Sequence, residues 1–173
     1  RCRSCTRGTP NRCENVAWYD SSLEDGSCRF HIGDRRIHHY NTSSFAERPV
    51  VPAQTAIPVD PTLPLAELAP MGCAVMTGVG AALNTAGIRP GQTAAVVGCG
   101  GVGLNVIQGC RIAGAAQIVA VDVVPEKLAL ARELGATDTV DAAATDATAA
   151  VRDLTGGGVD FAFEAIGRPQ TIE

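Results

Sequence analysis

Cysteines and one aspartate are the side chains of this sequence best placed to do chemistry. Cys2-x-x-Cys5 is followed by Cys13, and a short C-x-x-C turn aims two thiolates at one point, as a tetrahedral zinc site requires. Such a site takes four ligands, and three are present. A further C-x-x-C step backwards from Cys2 falls before Arg1, so the opening residues read as the inside of a motif and an internal fragment is expected. Seven cysteines is an odd number for a disulfide framework,. A thioredoxin-like redox pair needs a βαβ pattern that is missing near Cys5. Zinc held by Cys2, Cys5 and Cys13 is the reading that best explains the spacing.

A second constellation is Gly98-Cys99-Gly100-Gly101-Val102-Gly103. A G-x-G-x-x-G hexamer alone says little, but this one follows an apolar strand and opens a helix. Asp122 then stands at the end of the next strand, at the interval of roughly 20 residues found in dinucleotide-binding units. Gly98 permits a tight turn, Gly100 lets a pyrophosphate approach the backbone, and Gly103 lets helix and strand pack closely. The helix start offers N–H groups and partial positive charge to phosphate. Asp122 suits the adenosine ribose hydroxyls and repels a 2′-phosphate, so NAD is expected rather than NADP. Val123 and Val124 supply no arginine to reverse that preference, and Lys127 is a further ribose contact. A Rossmann-like sheet that binds another nucleotide, or nothing, is the plain structural alternative.

Cys73 precedes a predicted helix, where the dipole favours thiolate. That position suits a zinc ligand or a nucleophile, although a cysteine before an apolar helix is more often a small buried residue. His38 and His39 are strand neighbours that point to opposite faces and cannot readily share an ion. They read as structural or surface residues, His31 has no assigned role, and Cys28, Cys99 and Cys110 read as packing residues.

These groups need a scaffold, and composition allows one. The chain has 173 residues, 46% of them hydrophobic, enough for a domain-sized core,. A net charge of −4 and the absence of a basic stripe argue against a nucleic-acid surface,. The longest apolar stretch, near Thr93–Ile107, is broken by glycines and does not read as a membrane span. Apolar-flanked thiols such as Cys99 and Cys110 fit a reducing compartment, so a cytoplasmic location is expected.

Along the first third, Ser27–Ile32, Arg35–Tyr40 and Phe45–Val51 read as short strands, the first two joined by a Gly33-Asp34 turn. Prolines between Pro49 and Pro64 interrupt regular structure, after which Leu65–Ala69 and Ala74–Ala86 read as helices, the second ended by Gly87. From Thr93 strands alternate with helices: strand Thr93–Val97, helix Val102–Ala113, strand Ile118–Val121, helix Pro125–Leu134, strand Thr137–Val140, helix Thr145–Leu154 and strand Val159–Phe163. Gly156–Gly158 form a loop before the last strand. This alternation predicts an α/β fold, part of a doubly wound Rossmann sheet.

Taken together, the cysteine lobe, Gly72-Cys73-x-x-x-Thr77-Gly78 and the glycine fingerprint with Asp122 resemble the zinc-dependent medium-chain alcohol dehydrogenases. Further matches are Asp25-Gly26-Ser27-x-Arg29-Phe30, Ile37-His38-His39, Lys127-x-x-x-Ala131-x-x-x-Gly135-Ala136-Thr137 and Gly158-Val159-Asp160-Phe161-x-Phe163-Glu164-x-Ile166-Gly167-Arg168. The resemblance implies that residues 1–74 are the C-terminal part of a mostly β (GroES-like) zinc-binding catalytic domain. Residues 75–173 would be the N-terminal part of the NAD-binding domain. It implies structural zinc on Cys2, Cys5 and Cys13, and catalytic zinc on Cys73 with its other ligands upstream. Thr77 and Val102 would line the nicotinamide, Gly98, Gly100, Gly101, Gly103, Asp122 and Lys127 would hold the rest of the cofactor, and Ile166 and Arg168 would touch it after the fourth strand. Trp18 and Tyr40 fall where the family lines its alcohol pocket.

The implied activity is NAD-linked hydride transfer between a primary or secondary alcohol and its aldehyde or ketone. The enzyme would be a homo-oligomer, dimer or tetramer, with small-molecule substrates, no nucleic acid and no membrane. The fragment itself, with one catalytic ligand, is expected to be inactive. A thiol-dependent formaldehyde dehydrogenase of the same family is the nearest rival, although Ala17 stands where its glutathione-using members carry a basic residue. A nucleotide-binding protein without catalysis is the rival from another class, and it would have no need of Cys73.

Overall fold

The structure, a computed structural model, describes residues 2–9, 12–14, 27–28, 30–37, 47–49, 51, 53 and 56–172. Two compact units divide the chain, Arg1–Asp60 and Pro61–Glu173. The division lies upstream of the expected boundary after residue 74, because the short helices from Leu65 pack with the helix that begins at Ala74.

In the first unit, helix α1 (Arg3–Thr6) follows Cys2 directly. Strands β1 (His31–Ile32) and β2 (Arg35–Arg36) pair antiparallel, with His31 opposite Arg36 and Ile32 opposite Arg35. Gly33 turns the hairpin with a φ of 58°, and the Ile37 amide extends the pairing to the Phe30 carbonyl at 2.9 Å. Both strands are shorter than their alternating patterns suggest. Glu47 and Arg48, within the expected strand Phe45–Val51, form a bend instead. Trp18, His38, His39 and Tyr40 lie outside the described residues, as does Ala17.

The second unit opens with α2 (Leu65–Leu68) and a 3₁₀ turn over Ala69–Gly72, then α3 (Ala74–Gly80). The expected single helix Ala74–Ala86 changes character half-way: Ala81–Ala86 form a wider π turn that ends at Gly87, in the left-handed region at φ 65°. The π turn buries Ala82.

Beyond it come β3 (Thr93–Val97), α4 (Gly101–Ile112), β4 (Gln117–Asp122), α5 (Pro125–Leu134), β5 (Asp138–Asp141), α6 (Ala147–Thr155), β6 (Phe161–Glu164) and a last short helix α7 (Pro169–Ile172), which the pattern did not foretell. The four strands form one sheet in the order β5-β4-β3-β6, every neighbouring pair parallel. Parallel strands are buried on both faces, which explains the unbroken apolar runs of β3 and β4. Alternate side chains serve the two faces. Val96, Ile118 and Ala120 pack on one side with Val106, Ile107 and Cys110 of α4 and Leu128 of α5. Ala95, Val119, Val121 and Val140 pack on the other with Ala150 and Val151 of α6. This is the doubly wound α/β arrangement. Ile107 is fully buried, and truncating such a side chain to alanine typically costs about 2–5 kcal/mol.

Side chains set the strand ends. β6 begins at Phe161, later than expected, because Asp160 accepts the Thr93 amide at 2.7 Å and its hydroxyl at 3.0 Å, clamping the starts of β3 and β6 together. β5 begins after Thr137, whose hydroxyl accepts the Ile118 amide at 2.9 Å. Asp146 caps α6 by accepting the Ala149 amide at 3.0 Å.

Candidate functional site

Strand β3 lies between β4 and β6, and the chain winds away from it in opposite directions on its two sides. A crevice opens at such a switch point, at the carboxyl ends of the strands. Its floor is the turn from Gly98 to Gly103. Gly98 takes a φ of 97°, and a Cβ there would stand 2.5 Å from Ile166 Cγ1 and 3.2 Å from the Ala165 carbonyl carbon. Gly103 is packed against the Gly98 carbonyl so closely that a Cβ would overlap the oxygen. Gly100 is the opposite case. Its backbone is extended, at φ −85°, and a Cβ would meet nothing within 4 Å. The first two glycine requirements are internal to the fold, whereas at Gly100 the missing Cβ leaves space beside the backbone. The first intrahelical bond of α4 runs from the Leu104 amide to the Gly100 carbonyl at 2.9 Å, so the amides of Gly101, Val102 and Gly103 precede the ladder.

Asp122, only 7% exposed, ends β4 beside this turn. Its Oδ2 accepts the Cys99 amide at 2.7 Å and lies 3.8 Å from Lys127 Nζ. Its Oδ1 accepts the amides of Val123 and Val124 at 2.8 and 3.0 Å. The aspartate expected to read a ribose therefore also holds the glycine turn in place. Cys99 and Cys110 are the packing residues expected: burial pushes each thiol up to about 11, with the Asp122 charge adding to the effect at Cys99. Cys28 sits in the hairpin, its thiol 3.4 Å from the Phe30 carbonyl.

Helices α3 and α4 run side by side with their starts together. The Cβ position of Gly101 lies 3.7 Å from Ala74 Cβ, that of Gly78 lies 2.6 Å from Asn105 Cβ, and that of Gly109 lies 2.8 Å from Ala82 Cβ. Glycine at positions 78 and 109 allows this approach. It carries Cys73, exposed just before α3, and Thr77, whose amide bonds the Cys73 carbonyl at 2.9 Å, to the first turn of α4 at Gly101 and Val102.

On the other flank, the Ala165 amide continues the β6 pairing to the Val97 carbonyl at 2.8 Å. Glu164 then gathers the loop behind it. Its Oε1 accepts the Ile166 amide at 2.9 Å, the Gly167 amide at 2.9 Å and the Thr171 hydroxyl at 2.7 Å. The Thr171 hydroxyl first, and these amides with it, hold the Glu164 carboxyl below the usual range. Arg168 follows, its carbonyl 2.9 Å from the Thr171 hydroxyl and sharing with Glu164 the one proton that hydroxyl donates.

In the first unit, the sulfurs of Cys2, Cys5 and Cys13 all lie within 4.8 Å of one another. The Cys2–Cys13 separation is 3.9 Å, against an edge of about 3.8 Å for a tetrahedron with zinc–sulfur bonds of about 2.3 Å. The Glu14 amide above all, and the Cys5 amide after it, lower the Cys2 thiol to about 6, whereas Cys13 and Cys2 raise Cys5. The donor set and its spacing fit zinc.

A model of zinc-binding dehydrogenases matches residues 101–173. Over 99% of its length the chain superposes on an alcohol dehydrogenase zinc-binding domain protein from Burkholderia ambifaria, with 38% identity and a TM-score of 0.86, covering 48% of that chain. Benzyl alcohol dehydrogenase from Acinetobacter calcoaceticus gives 31% identity and a TM-score of 0.86 over 99% of this chain and 47% of that one. The chain belongs to the zinc-dependent alcohol dehydrogenase family. It spans about half the length of these two structures. A third relative, 2R,3R-butanediol dehydrogenase from Bacillus subtilis, is 42% identical over 56% of this chain and 28% of that one, with a TM-score of 0.52.

Within this family member the structure gathers Gly98, Gly100, Gly101, Val102, Gly103, Asp122, Lys127, Cys73, Thr77 and Ile166 around the ends of three adjacent strands. Two features were not legible beforehand. The first is the Cys99 amide, a backbone donor that no residue type announces. The second is Glu164, for which a signal existed: like Asp122, it is a carboxylate at the end of a strand, followed at once by a turn.

Proposed function

We propose that the chain serves a zinc-dependent, NAD-linked oxidoreductase that transfers hydride between a primary or secondary alcohol and its aldehyde or ketone. The observation that carries this reading is the contrast within the glycine turn: Cβ space is filled at Gly98 and Gly103 and vacant at Gly100. A fold needing only a tight strand–helix turn has no use for the vacancy, whereas a pyrophosphate does.

Gly100, Gly101, Val102 and Gly103 would hold the diphosphate through their backbone, aided by the positive end of α4. A carboxylate has about four acceptor sites. Three backbone amides occupy Asp122, and a ribose hydroxyl can take what remains. A 2′-phosphate at that position meets the Asp122 charge, which favours NAD over NADP. Lys127, half-exposed and near Asp122, can reach the same ribose. Thr77 and Val102 would line the nicotinamide end, with Ile166 and Arg168 on the opposite wall.

Cys73 would supply one ligand to a catalytic zinc, and Cys2, Cys5 and Cys13 three ligands to a structural one. When bound, the zinc supplies Lewis acidity toward the alcohol oxygen and the nicotinamide accepts hydride. The protein's task is to hold the reacting groups in line and exclude water. A small-molecule alcohol or aldehyde as partner, a homo-oligomeric state and a cytoplasmic location complete the reading. Cys99 and Cys110, buried and outside any disulfide, support the last of these.

Calorimetric titration with NADH and NADPH tests the proposal. NADH is expected to bind at least about tenfold more tightly, and absence of NADH binding overturns it. In the full-length enzyme, Cys73→Ala is expected to abolish alcohol oxidation while NADH affinity stays within about twofold; undiminished turnover would remove Cys73 from the zinc.

A further inference from the structure

We propose that Glu164 is a positioning residue for the dinucleotide: its carboxylate sets the loop Ala165–Gly167 so that Ile166 forms the wall of the crevice opposite Asp122. The inference rests on the cofactor reading above and assigns a task within that site.

Strand β3, from which the glycine turn leaves, has β4 on one side and β6 on the other. Val97 pairs with Val121, the residue before Asp122, and with Glu164 itself. The glycine turn is thus flanked by two carboxylates, each ending a neighbouring strand and each occupied by amides of the turn that follows it. Asp122 takes Val123 and Val124, and Glu164 takes Ile166 and Gly167. Asp122 reaches the glycine turn directly through the Cys99 amide. Glu164 reaches it through Ile166, whose Cγ1 fills the place where Gly98 would carry a Cβ.

Ile166 is 45% exposed, so packing against Gly98 is only part of what fixes it. Its placement depends on the backbone behind it, and that backbone is tied by hydrogen bonds to a charged acceptor, the stronger kind. Gly167, at φ 81°, turns its amide inward to the same carboxylate. Thr171, from α7, adds a third donor at 2.7 Å. An unengaged carboxylate beside a diphosphate crevice would repel the ligand. Three donors engage this one, so the loop is ordered and the negative charge is partly neutralised.

The test compares Glu164→Ala and Glu164→Gln with the unaltered protein by calorimetric titration with NADH and by heat unfolding. All three donors reach Oε1, an oxygen that glutamine keeps, and only the longer second contact of the Gly167 amide, to Oε2 at 3.1 Å, is given up. Glu164→Ala is therefore expected to raise the NADH Kd about tenfold, and Glu164→Gln to stay within about threefold of the unaltered protein, with similar unfolding midpoints. Unchanged affinity in Glu164→Ala overturns the inference, as does an equal loss in both variants. Should Glu164→Ala fail to fold, Thr171→Val decides: it leaves the carboxylate and removes one donor, an affinity about threefold weaker supports the role, and unchanged affinity overturns it. An unaltered protein that binds no NADH overturns the cofactor reading itself and this inference with it.

Discussion

The Cys99 amide, within the glycine turn, donates to Asp122 Oδ2 over 2.7 Å, and Cys99 is only 1% exposed. One carboxylate therefore joins two strand ends, and its removal strands a buried donor and takes away the proposed ribose contact. Asp122→Gly is expected to lower the unfolding free energy by about 1–3 kcal/mol, the cost of an unsatisfied buried group. It should also erode the preference for NADH over NADPH. Asp122→Asn keeps one acceptor oxygen, for either Cys99 or Val123 and Val124, and loses the other together with the charge, so its stability should fall between those of Asp122→Gly and the unaltered protein while the repulsion of a 2′-phosphate is gone. Urea unfolding and cofactor titration measure both. Wild-type stability in Asp122→Gly would remove Asp122 from the support of the turn.

Gly100→Ala and Gly103→Ala should fail in different ways. At Gly100 the backbone is extended and the Cβ space empty, so the variant is expected to fold within about 0.5 kcal/mol of the unaltered protein. Its methyl group takes the space proposed for the diphosphate, and NADH affinity should fall at least about tenfold. At Gly103 the Cβ would overlap the Gly98 carbonyl oxygen, which cannot move without β3, so a loss of about 3 kcal/mol or more, or no soluble protein, is expected. If Gly100→Ala binds NADH normally, the diphosphate does not lie there.

Stability of the second unit should fall away on both sides of neutral pH. The Gln117 amide leads in lowering Asp138, the Thr93 amide in lowering Asp160, and the Thr171 hydroxyl in lowering Glu164, from ordinary values of 3.8, 3.8 and 4.5. A carboxyl depressed in the folded state contributes stability fully above its unfolded value and loses it as pH falls through the folded one. Cys99 and Cys110 have the opposite sense. As buried thiols raised from 9.0 to about 11, they contribute fully below the unfolded value and lose that contribution as pH climbs between the two. The urea midpoint of the second unit, which holds all five groups, should therefore be level between about pH 5 and 9 and decline on either side. Asp160→Asn should lower the plateau and flatten the acid limb. An acid limb unaltered by that substitution would mean that the Asp160–Thr93 clamp contributes no stability.

What could be read directly was local. The strand–turn–helix from Thr93 to Ile112 was visible because an apolar run, three spaced glycines and a second apolar run all act within a few residues of one another. Pro125 marked the start of α5, and Gly33-Asp34 marked a hairpin, for the same reason. The Cys2, Cys5 and Cys13 group was legible too, because C-x-x-C spacing confines two thiols whatever surrounds them. Less was visible where the deciding partner is remote. The start of β6 moved to Phe161 because Asp160 bonds Thr93, 67 residues away. The π turn at Ala81–Ala86 stands where an α-helix was expected.

Residue types alone determined which chemistry was available: thiols spaced for a metal, glycines where a Cβ could obstruct, and a carboxylate at the right interval for a ribose. Only the tertiary structure decided which of those glycines serve the fold and which leaves room for a ligand, because Gly98, Gly100 and Gly103 look alike in a hexamer and differ in what stands beside them. It also decided that β6 lies beside β3 and thereby made Glu164 the counterpart of Asp122. Strand order follows from burying both faces of the sheet and pairing every strand's amides and carbonyls at once, a condition on the whole unit that no local run of residues contains.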